Sequence, residues 1–238
     1  MTPFPEMPRK ENIRKMFDSI APSYDRLNHL FSMDVDKLWR RHALRYVTDG
    51  TPQRILDVAC GTGDSTIAIA KAAAPGSMVV GADISEGMMA LVIDKAEKAG
   101  VAGRITLEVA DGEALPYGDG SFDRVTCAFG IRNFEHREKG LGEFRRVLRP
   151  GGKAVILELS MPRNPVIRWL YGLYFFHILP WVGGKVSGDR AAYRYLPSSV
   201  RNFPSPEEFC AMMTAAGFTS VTHKSLTMGL CRLFVGEV

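Results

Sequence analysis

Three aspartates with the chemistry to bind a cationic or hydroxyl-rich ligand follow short apolar segments of this 238-residue sequence. Asp57, Asp83 and Asp111 each lie at or just after the end of such a segment. Short apolar segments are typical of buried parallel strands, and the carboxyl ends of parallel strands meet at one edge of a sheet. The pattern therefore predicts that the three carboxylates lie close together at a ligand site.

A glycine loop follows the first of these segments. Gly61 and Gly63 stand between a predicted strand and a predicted helix, where glycine allows a ligand to approach the backbone closely. The dinucleotide fingerprint is incomplete, because no glycine stands three residues after Gly63. Asp57 and Asp64 flank the loop instead, and carboxylates favour a cationic ligand such as the sulfonium of S-adenosylmethionine.

The spacing of the other two acids suits a nucleoside. Asp83 lies 20 residues beyond Gly63, the offset expected for an acid that accepts hydrogen bonds from ribose hydroxyls. Asp111 is placed to accept from the adenine amino group, and Gly112 would keep the loop thin beside the ring. A simple Asp-Gly turn without a ligand is the alternative.

The alternation of strand and helix signals predicts one α/β domain with a mostly parallel sheet. Five strands are expected in the first part of the chain, and two more, Ser220–Leu226 and Cys231–Gly236, form an antiparallel pair. Ser85 and Ser205 are predicted helix N-caps. Turns or loops are expected at 149–152 and Tyr193–Pro197.

Composition excludes several classes of function. The net charge of +4 is too small to indicate nucleic-acid binding. The basic runs Trp39–Arg41 and Phe144–Arg146 are interpreted as solvated or as helix ends. Neither the four cysteines nor the five histidines show metal-ligand spacing, so we predict no metal site and a reduced, cytoplasmic protein.

Two segments outside the predicted sheet carry many aromatic residues. Helices are expected between Glu11 and Val47, broken near Pro22 and around Ser32, and Phe17–Asp25 between them is either a structural brace or a lid. The apolar segment Trp169–Val182 is too short to cross a bilayer. It is either a buried helix or a wall for an apolar substrate, with basic residues near its ends for anionic headgroups: Arg163, Arg168 and Lys185.

Three segments make the sequence similar to a known family: Phe17–Asp25, Phe129–Asn133 and Tyr193–Val200. With them the chain resembles, over nearly its whole length, the ubiquinone/menaquinone-biosynthesis C-methyltransferases of the class I S-adenosylmethionine-dependent methyltransferases. The resemblance implies a Rossmann-like, seven-stranded sheet with an antiparallel C-terminal strand. It also implies a single domain, divided into a helical lid (1–50), a cofactor-binding core (51–160), an apolar insert after strand five (161–204) and a C-terminal unit (205–238).

The implied reaction is methyl transfer to a ring carbon of a polyprenylated quinol. Demethylmenaquinol is preferred as the family's broader substrate, and the ubiquinone step, or both, is the alternative. By motif, Thr62 joins Asp83 and the Asp111–Gly112 pair as cofactor-binding positions. The resemblance departs at Ala128, where some relatives place a serine against the cofactor.

The resemblance also places Arg132 on the acceptor side. A guanidinium stays protonated, so Arg132 is expected to stabilise a phenolate or to polarise a water. Tyr24, Tyr193 and Tyr195 are candidates to orient the ring hydroxyls, or they are packing aromatics. Two rivals remain open, an O- or N-methyltransferase of a soluble metabolite and a non-catalytic scaffold. Contact with the inner face of the membrane and a homodimer are both compatible with the aromatic surface.

Overall fold

Seven strands form one sheet in the computed structural model, which describes residues 10–178 and 190–238. The strands are β1 (Arg54–Val58), β2 (Met78–Asp83), β3 (Ile105–Val109), β4 (Phe122–Ala128), β5 (Leu148–Leu159), β6 (Thr219–Leu226) and β7 (Cys231–Glu237). Their order across the sheet is β3-β2-β1-β4-β5-β7-β6. β1 is parallel to both of its neighbours, β2 and β4. From β1 the chain first builds the sheet toward β2 and β3 and then crosses to β4 and β5 on the other side, and such sheets bind ligands at this switch in strand order.

Eight α-helices accompany the sheet in the described ranges. They are α1 (Lys10–Ser32), α2 (Val35–Val47), α3 (Asp64–Ala72), α4 (Glu86–Lys98), α5 (Arg137–Val147), α6 (Pro165–Leu173), α7 (Arg190–Arg201) and α8 (Pro206–Ala215). A π-helical turn, Tyr174–Ile178, continues α6. The predicted caps are confirmed, because the Ser85 hydroxyl accepts from the Met88 N–H and Ser205 forms a capping box with Glu208.

The core lies on both faces of the sheet because strand residues alternate in direction. On one face Phe122 packs with Phe144 of α5 and Phe209 of α8, all fully buried. On the other face Ile55 packs with Ile69 of α3. Because helices cover both faces of the sheet, the loops at the carboxyl ends of the strands remain available to form a site.

The C-terminal end of the sheet is antiparallel as predicted. β7 runs antiparallel to both β5 and β6, with Val155 opposite Val235. Residues 149–152, expected to form a turn, belong to β5, which begins at Leu148. The last residue of the chain pairs with this segment: the Gly151 N–H donates to the Val238 carbonyl, and the Val238 N–H donates to the Gly152 carbonyl. These hydrogen bonds extend the β-ladder through the expected turn.

Two predictions made at prolines were wrong. α1 continues through Pro22, where a break was expected, and α7 contains Pro197 in a segment expected to be a loop. A proline inside a helix removes one backbone hydrogen bond. Buried neighbours offset that loss, because Ile20 and Val200 belong to one apolar cluster. The break expected around Ser32 is confirmed by Met33 and Asp34, both with positive φ.

The apolar segment after β5 has two different faces. Phe175 is buried in the same cluster as Ile20, whereas Val166, Trp169 and Leu170 of α6 are each more than half exposed. The rest of the predicted segment, from residue 179 to Val182, lies outside the described residues, as does Lys185. Within the described ranges, no helix is long and apolar enough to span a membrane.

Candidate active site

Two adjoining cavities lie at the carboxyl edge of the sheet. The first is lined by the loops after β1, β2, β3 and β4 and by α1. The second is lined mainly by α1, α2 and the α6 region. Three residues line both cavities: Tyr24, Arg40 and Phe129. The two cavities therefore adjoin at these three residues.

The two predicted glycines of the β1–α3 loop have different roles. Gly61 lines the first cavity with φ +54°, and a Cβ built on it would have no atom within 4 Å, so this backbone faces open space. Gly63, the residue before α3, has φ +83°, and a Cβ there would lie 2.6 Å from Val92 Cγ1. Gly63 is not among the described lining residues. Gly61 thus leaves room for a ligand, and Gly63 lets α3 and α4 pack.

Asp83 is held at the end of β2 by backbone donors. Its carboxylate accepts from the Gly61 N–H at 2.8 Å and from the Ser85 N–H at 2.9 Å. Burial raises the pKa of Asp83 above its ordinary value. A carboxylate offers about four acceptor positions, so two donors fix Asp83 while leaving capacity for ligand hydroxyls.

Asp57 is fully buried below the first cavity. Its two oxygens accept hydroxyl hydrogen bonds from Thr66 at 2.7 Å and Thr126 at 2.6 Å. Burial raises the pKa of this carboxyl. The hydrogen bonds tie β1 to α3 and β4, so Asp57 organises the floor of the cavity that it helps to line.

The loop after β3 brings Asp111 and Gly112 to the cavity. Asp111 accepts from the Glu113 N–H at 3.0 Å and forms an ion pair with Lys10 of α1. At Gly112 a Cβ would lie 2.4 Å from Phe134 Cζ. Glycine is therefore required at position 112 because the Phe134 ring packs closely against its backbone.

The first helix lies across the mouth of the first cavity. Besides the Lys10 pair, Asp18 accepts from the Ser85 hydroxyl, and Asp25 accepts from the Thr62 hydroxyl and from Lys95. α1 thus contacts the loops that follow β1, β2 and β3. Thr62 reaches the cavity but uses its hydroxyl on Asp25.

The second cavity is largely apolar and aromatic. Its described apolar lining includes Tyr24, Val35, Trp39, Tyr171, Tyr174, Phe175, Leu196 and Leu230. These residues come from α1, α2, α6 with its π-helical turn, α7 and the loop before β7. Such a lining fits an apolar, ring-containing ligand.

Arg132 is the buried cation of the second cavity. Its Nη1 donates to Glu158 Oε1 at 2.9 Å, and its backbone N–H donates to Glu158 Oε2 at 3.2 Å. Burial lowers and the adjacent Glu158 carboxylate raises the pKa of Arg132, which is raised overall. Arg132 therefore stays positively charged although it is only 4% exposed.

The two candidate tyrosines lie at different places. Tyr24 lines both cavities, and its ring meets that of Phe17 edge-on at 6.0 Å. Tyr195 is not among the described lining residues, but its hydroxyl donates to Asn133 Oδ1 at 3.0 Å, and Asn133 lines the first cavity. Burial raises the pKa of Tyr195, so its hydroxyl remains a donor at neutral pH. Tyr193 lies in α7, and its side chain is outside the described part.

Phe129 lies where the two cavities adjoin and has a backbone conformation that is rare for residues other than glycine. Its φ is +63°, and its N–H donates to the Leu157 carbonyl at 2.7 Å. The Phe129 carbonyl accepts from Arg132 Nη1, and the Arg40 guanidinium lies 5.0 Å from the ring centroid. Unfavourable φ values of this kind cost about 1–3 kcal/mol and are concentrated at functional sites.

Three side chains at or beside the site were not found from the sequence: Trp39, Arg40 and Glu158. The interpretation of Trp39–Arg41 as solvated was wrong for Trp39, which is buried, and for Arg40, which lines both cavities; only Arg41 is exposed. Glu158 was also missed, although a carboxylate within the apolar strand 154–159 is a signal of a buried ion pair. For Phe144–Arg146 the helix-end interpretation is confirmed, because both arginines stand in the last turn of α5.

The first cavity fits S-adenosylmethionine. Gly61 leaves open space at the backbone, and the described lining carries five carboxylates: Asp57, Asp64, Asp83, Asp111 and Glu113. A sulfonium with an attached nucleoside matches this combination of negative charge and fixed acceptors.

Sequence comparison agrees with this chemistry. The model of the ubiE/COQ5 methyltransferase family matches residues 6–237. A demethylmenaquinone methyltransferase of Thermus thermophilus is 50% identical over 93% of this chain and 99% of its own length. The ubiquinone/menaquinone biosynthesis C-methyltransferase UbiE of Geobacter sulfurreducens is 49% identical over 95% of this chain and 88% of its own.

Comparison with solved structures concerns the fold alone. The [4+2]-cyclase SpnF superposes with a TM-score of 0.71 at 19% identity, covering 97% of both chains. A S-adenosylmethionine-dependent methyltransferase of Thermotoga maritima superposes with a TM-score of 0.63 at 18% identity, covering 94% of this chain and 98% of that one. The predicted Rossmann-like, mostly parallel sheet is confirmed.

Proposed function

The chain belongs to the ubiE/COQ5 methyltransferase family of S-adenosylmethionine-dependent C-methyltransferases, and on this premise we propose that it methylates a ring carbon of a polyprenylated quinol, demethylmenaquinol. One observation carries the proposal: an acid-lined cavity adjoins an aromatic one, and Tyr24, Arg40 and Phe129 line both. This arrangement lets a cationic methyl donor and an apolar ring meet.

The first cavity is proposed to hold the donor. Asp83 would accept from the ribose hydroxyls and Asp111 from the adenine amino group, beside the thin loop at Gly112. Gly61 and Thr62 would face the remainder of the molecule. When bound, S-adenosylmethionine supplies an electrophilic methyl group. Because Lys10 pairs with Asp111 and Asp25 takes the Thr62 hydroxyl, α1 acts as the lid that closes over the donor.

The second cavity is proposed to hold the quinol ring. A ring carbon becomes nucleophilic when an adjacent hydroxyl loses its proton to water, because the phenolate places negative charge on the ring. As that carbon gains the methyl group, the bond from the methyl group to sulfur breaks, and the ring carbon then loses its own hydrogen as a proton to water, which restores the aromatic quinol. Arg132, kept charged and fixed by Glu158, would stabilise that phenolate. It is not a conventional base, since guanidinium does not release its proton at neutral pH.

Two tyrosines are proposed to orient the ring. Tyr24 lies where both cavities meet, so its hydroxyl can contact a ring hydroxyl while the ring carbon faces the donor. Tyr195 would act from the donor side, because its hydroxyl donates at 3.0 Å to Asn133, which lines the first cavity. Correct alignment of donor and acceptor supplies a large part of the rate in transfers of this kind.

The naphthoquinol is preferred because the Thermus thermophilus relative, at 50% identity, is named for demethylmenaquinone alone. A second candidate is the use of both quinols, since the Geobacter sulfurreducens relative is named for ubiquinone and menaquinone together. The two quinols differ in ring size.

The test offers isotopically labelled S-adenosylmethionine with demethylmenaquinol and with the demethylated ubiquinol precursor, separately and under reducing conditions. We expect label in menaquinol only. Label in both products would support the second candidate. Donor binding without label in either quinol would overturn the proposal and favour a methyltransferase of a soluble metabolite.

We also propose that α6 contacts the membrane that holds the quinol. Val166, Trp169, Leu170 and Leu173 form an exposed apolar face next to the Tyr171 and Phe175 lining of the second cavity. Trp169→Ser should weaken binding to anionic lipid vesicles several-fold without lowering the melting temperature. Ile93→Ser on α4, another apolar residue that is more than half exposed, is the control. Loss of a dimer instead of vesicle binding would make this face a subunit interface.

A further inference from the structure

The first cavity contains basic side chains that the sulfonium and the ammonium of the proposed donor do not explain. Its described lining has five carboxylates but two basic side chains, Lys10 and Arg40. The amino-acid end of S-adenosylmethionine carries a carboxylate as well as an ammonium, and a carboxylate placed among acids is stabilised by a cation beside it. The two basic residues of the lining are the candidates to serve this group.

The order of the strands decides between the two. Across the sheet β3 comes first, then β2, then β1, so the Asp111 loop, Asp83 and the glycine loop follow one another along the cavity. Lys10 lies at the Asp111 end, in an ion pair with that residue. A donor with its adenine at Asp111 and its ribose at Asp83 therefore has its amino-acid end at the glycine loop, away from Lys10.

Arg40 lies at the glycine-loop end. Its Nη1 contacts the hydroxyl of Ser65, in the first turn of α3, and Ser65 lines the first cavity too. The guanidinium lies against the Phe129 ring, and Nε is 3.7 Å from Asp36 Oδ2. Nε is buried and has no hydrogen-bond partner among the described residues. The side chain is thus held in place by packing while it keeps hydrogen-bonding capacity.

We propose that Arg40 binds the carboxylate of the amino-acid end of the methyl donor. A guanidinium presents planar, paired donors that match a carboxylate, and packing on Phe129 reduces the entropy lost when it binds. The inference rests on S-adenosylmethionine as the donor, but not on the identity of the acceptor. It gives Arg40 a binding role, distinct from that of Arg132 toward the quinol.

The second cavity offers a competing role, because Arg40 lines it as well. Binding measured without any quinol separates the two roles. S-adenosylhomocysteine has the carboxylate, whereas 5′-methylthioadenosine has the same nucleoside and thioether but lacks the amino-acid group. Decarboxylated S-adenosylmethionine, compared with S-adenosylmethionine, removes the carboxylate and keeps the ammonium.

Calorimetric titration of the full chain and of Arg40→Met tests the inference. We expect the variant to lose roughly 10- to 100-fold in affinity for S-adenosylhomocysteine and for S-adenosylmethionine, the range for a hydrogen bond between charged groups. Its affinity for methylthioadenosine and for decarboxylated S-adenosylmethionine should change less than about two-fold. Equal losses for all four ligands, or none, would overturn the inference.

Two further variants serve as controls. Arg40→Lys keeps the charge but not the planar fork, so it should show a smaller loss with the same dependence on the carboxylate, and it provides the test if Arg40→Met does not fold. Arg41→Met changes the exposed neighbour on α2 and should leave all four affinities unchanged. A variant that binds donors normally and raises only the KM for quinol would assign Arg40 to the acceptor. If the wild-type chain binds no donor, the donor assignment fails together with this inference, whatever the quinol assay shows.

Discussion

The two cavities are built by different means. The first is made of strand-end loops whose backbone groups fix the acids, as the Gly61 and Ser85 N–H groups fix Asp83. The second is made of helices, with apolar side chains around one buried cation, Arg132, that another side chain holds. Donor binding therefore depends on backbone geometry, and acceptor chemistry depends on side-chain packing between distant segments.

The largest effect that separates the cavities is expected from Arg132→Lys. The substitution keeps a cation beside Glu158 but loses the planar guanidinium, so turnover should fall by about 100-fold or more, as when a transition-state donor is removed. The dissociation constant for S-adenosylhomocysteine should be unchanged in calorimetry. Arg145→Lys on α5 is the control. A parallel loss of donor affinity would remove the distinction between the two cavities.

Asp83→Asn in the first cavity should show the reverse pattern, with a loss of donor affinity and little change in turnover. The amide loses the charge that accepts from Gly61 and Ser85, so donor affinity should fall by roughly 10- to 100-fold. At saturating donor the turnover should remain within about three-fold of the wild type, because Asp83 lies away from the second cavity. Steady-state kinetics with donor varied gives both quantities, and a main effect on turnover would contradict the expectation.

Gly112→Ala tests whether the thin loop is a packing requirement. The new Cβ would lie 2.4 Å from Phe134 Cζ, so the ring must move, at a cost of about 1–3 kcal/mol in the free energy of unfolding. Chemical denaturation measures this. Gly142→Ala on α5 has no atom within 4 Å of its Cβ and should not be destabilised by such a clash. Equal stability of the two variants would show that the Phe134 contact is unimportant.

The smallest effect concerns pH and Asp57. Burial raises the folded-state pKa of this carboxyl, so between its unfolded value and the raised value the folded protein binds the extra proton. Stability from this group is present at low pH and is lost as pH rises through that window. Asp57→Asn has no carboxyl to titrate at this position, so it does not share this loss of stability. The free energy of unfolding of the variant minus that of the wild type should therefore rise with pH across the window. A constant or falling difference would contradict the raised pKa.

The donor cavity was predictable because its signals are local. Asp83 follows Gly63 at a fixed offset, and Asp111 and Gly112 directly follow an apolar strand, so the sheet topology alone brings them together. The helix caps at Ser85 and Ser205 were likewise readable from single residues and their neighbours.

The acceptor cavity could not be predicted in the same way. Glu158 and Arg40 meet their partners, Arg132 and Phe129, only after long-range packing, with no sequence spacing that indicates the contact. The prolines show the same limit: local propensity predicts breaks at Pro22 and Pro197, and the tertiary burial of neighbouring residues overrides it.

Phe129 gives the two halves a common element. The Arg40 guanidinium packs on the Phe129 ring, and Arg132 donates a hydrogen bond to the Phe129 carbonyl. The backbone conformation of Phe129, with φ +63°, sets the positions of both the ring and the carbonyl. A displacement of Phe129 would therefore reach both arginines. Were donor binding to cause such a displacement, it would change the affinity for the quinol, and the quinol would change the affinity for the donor by the same factor.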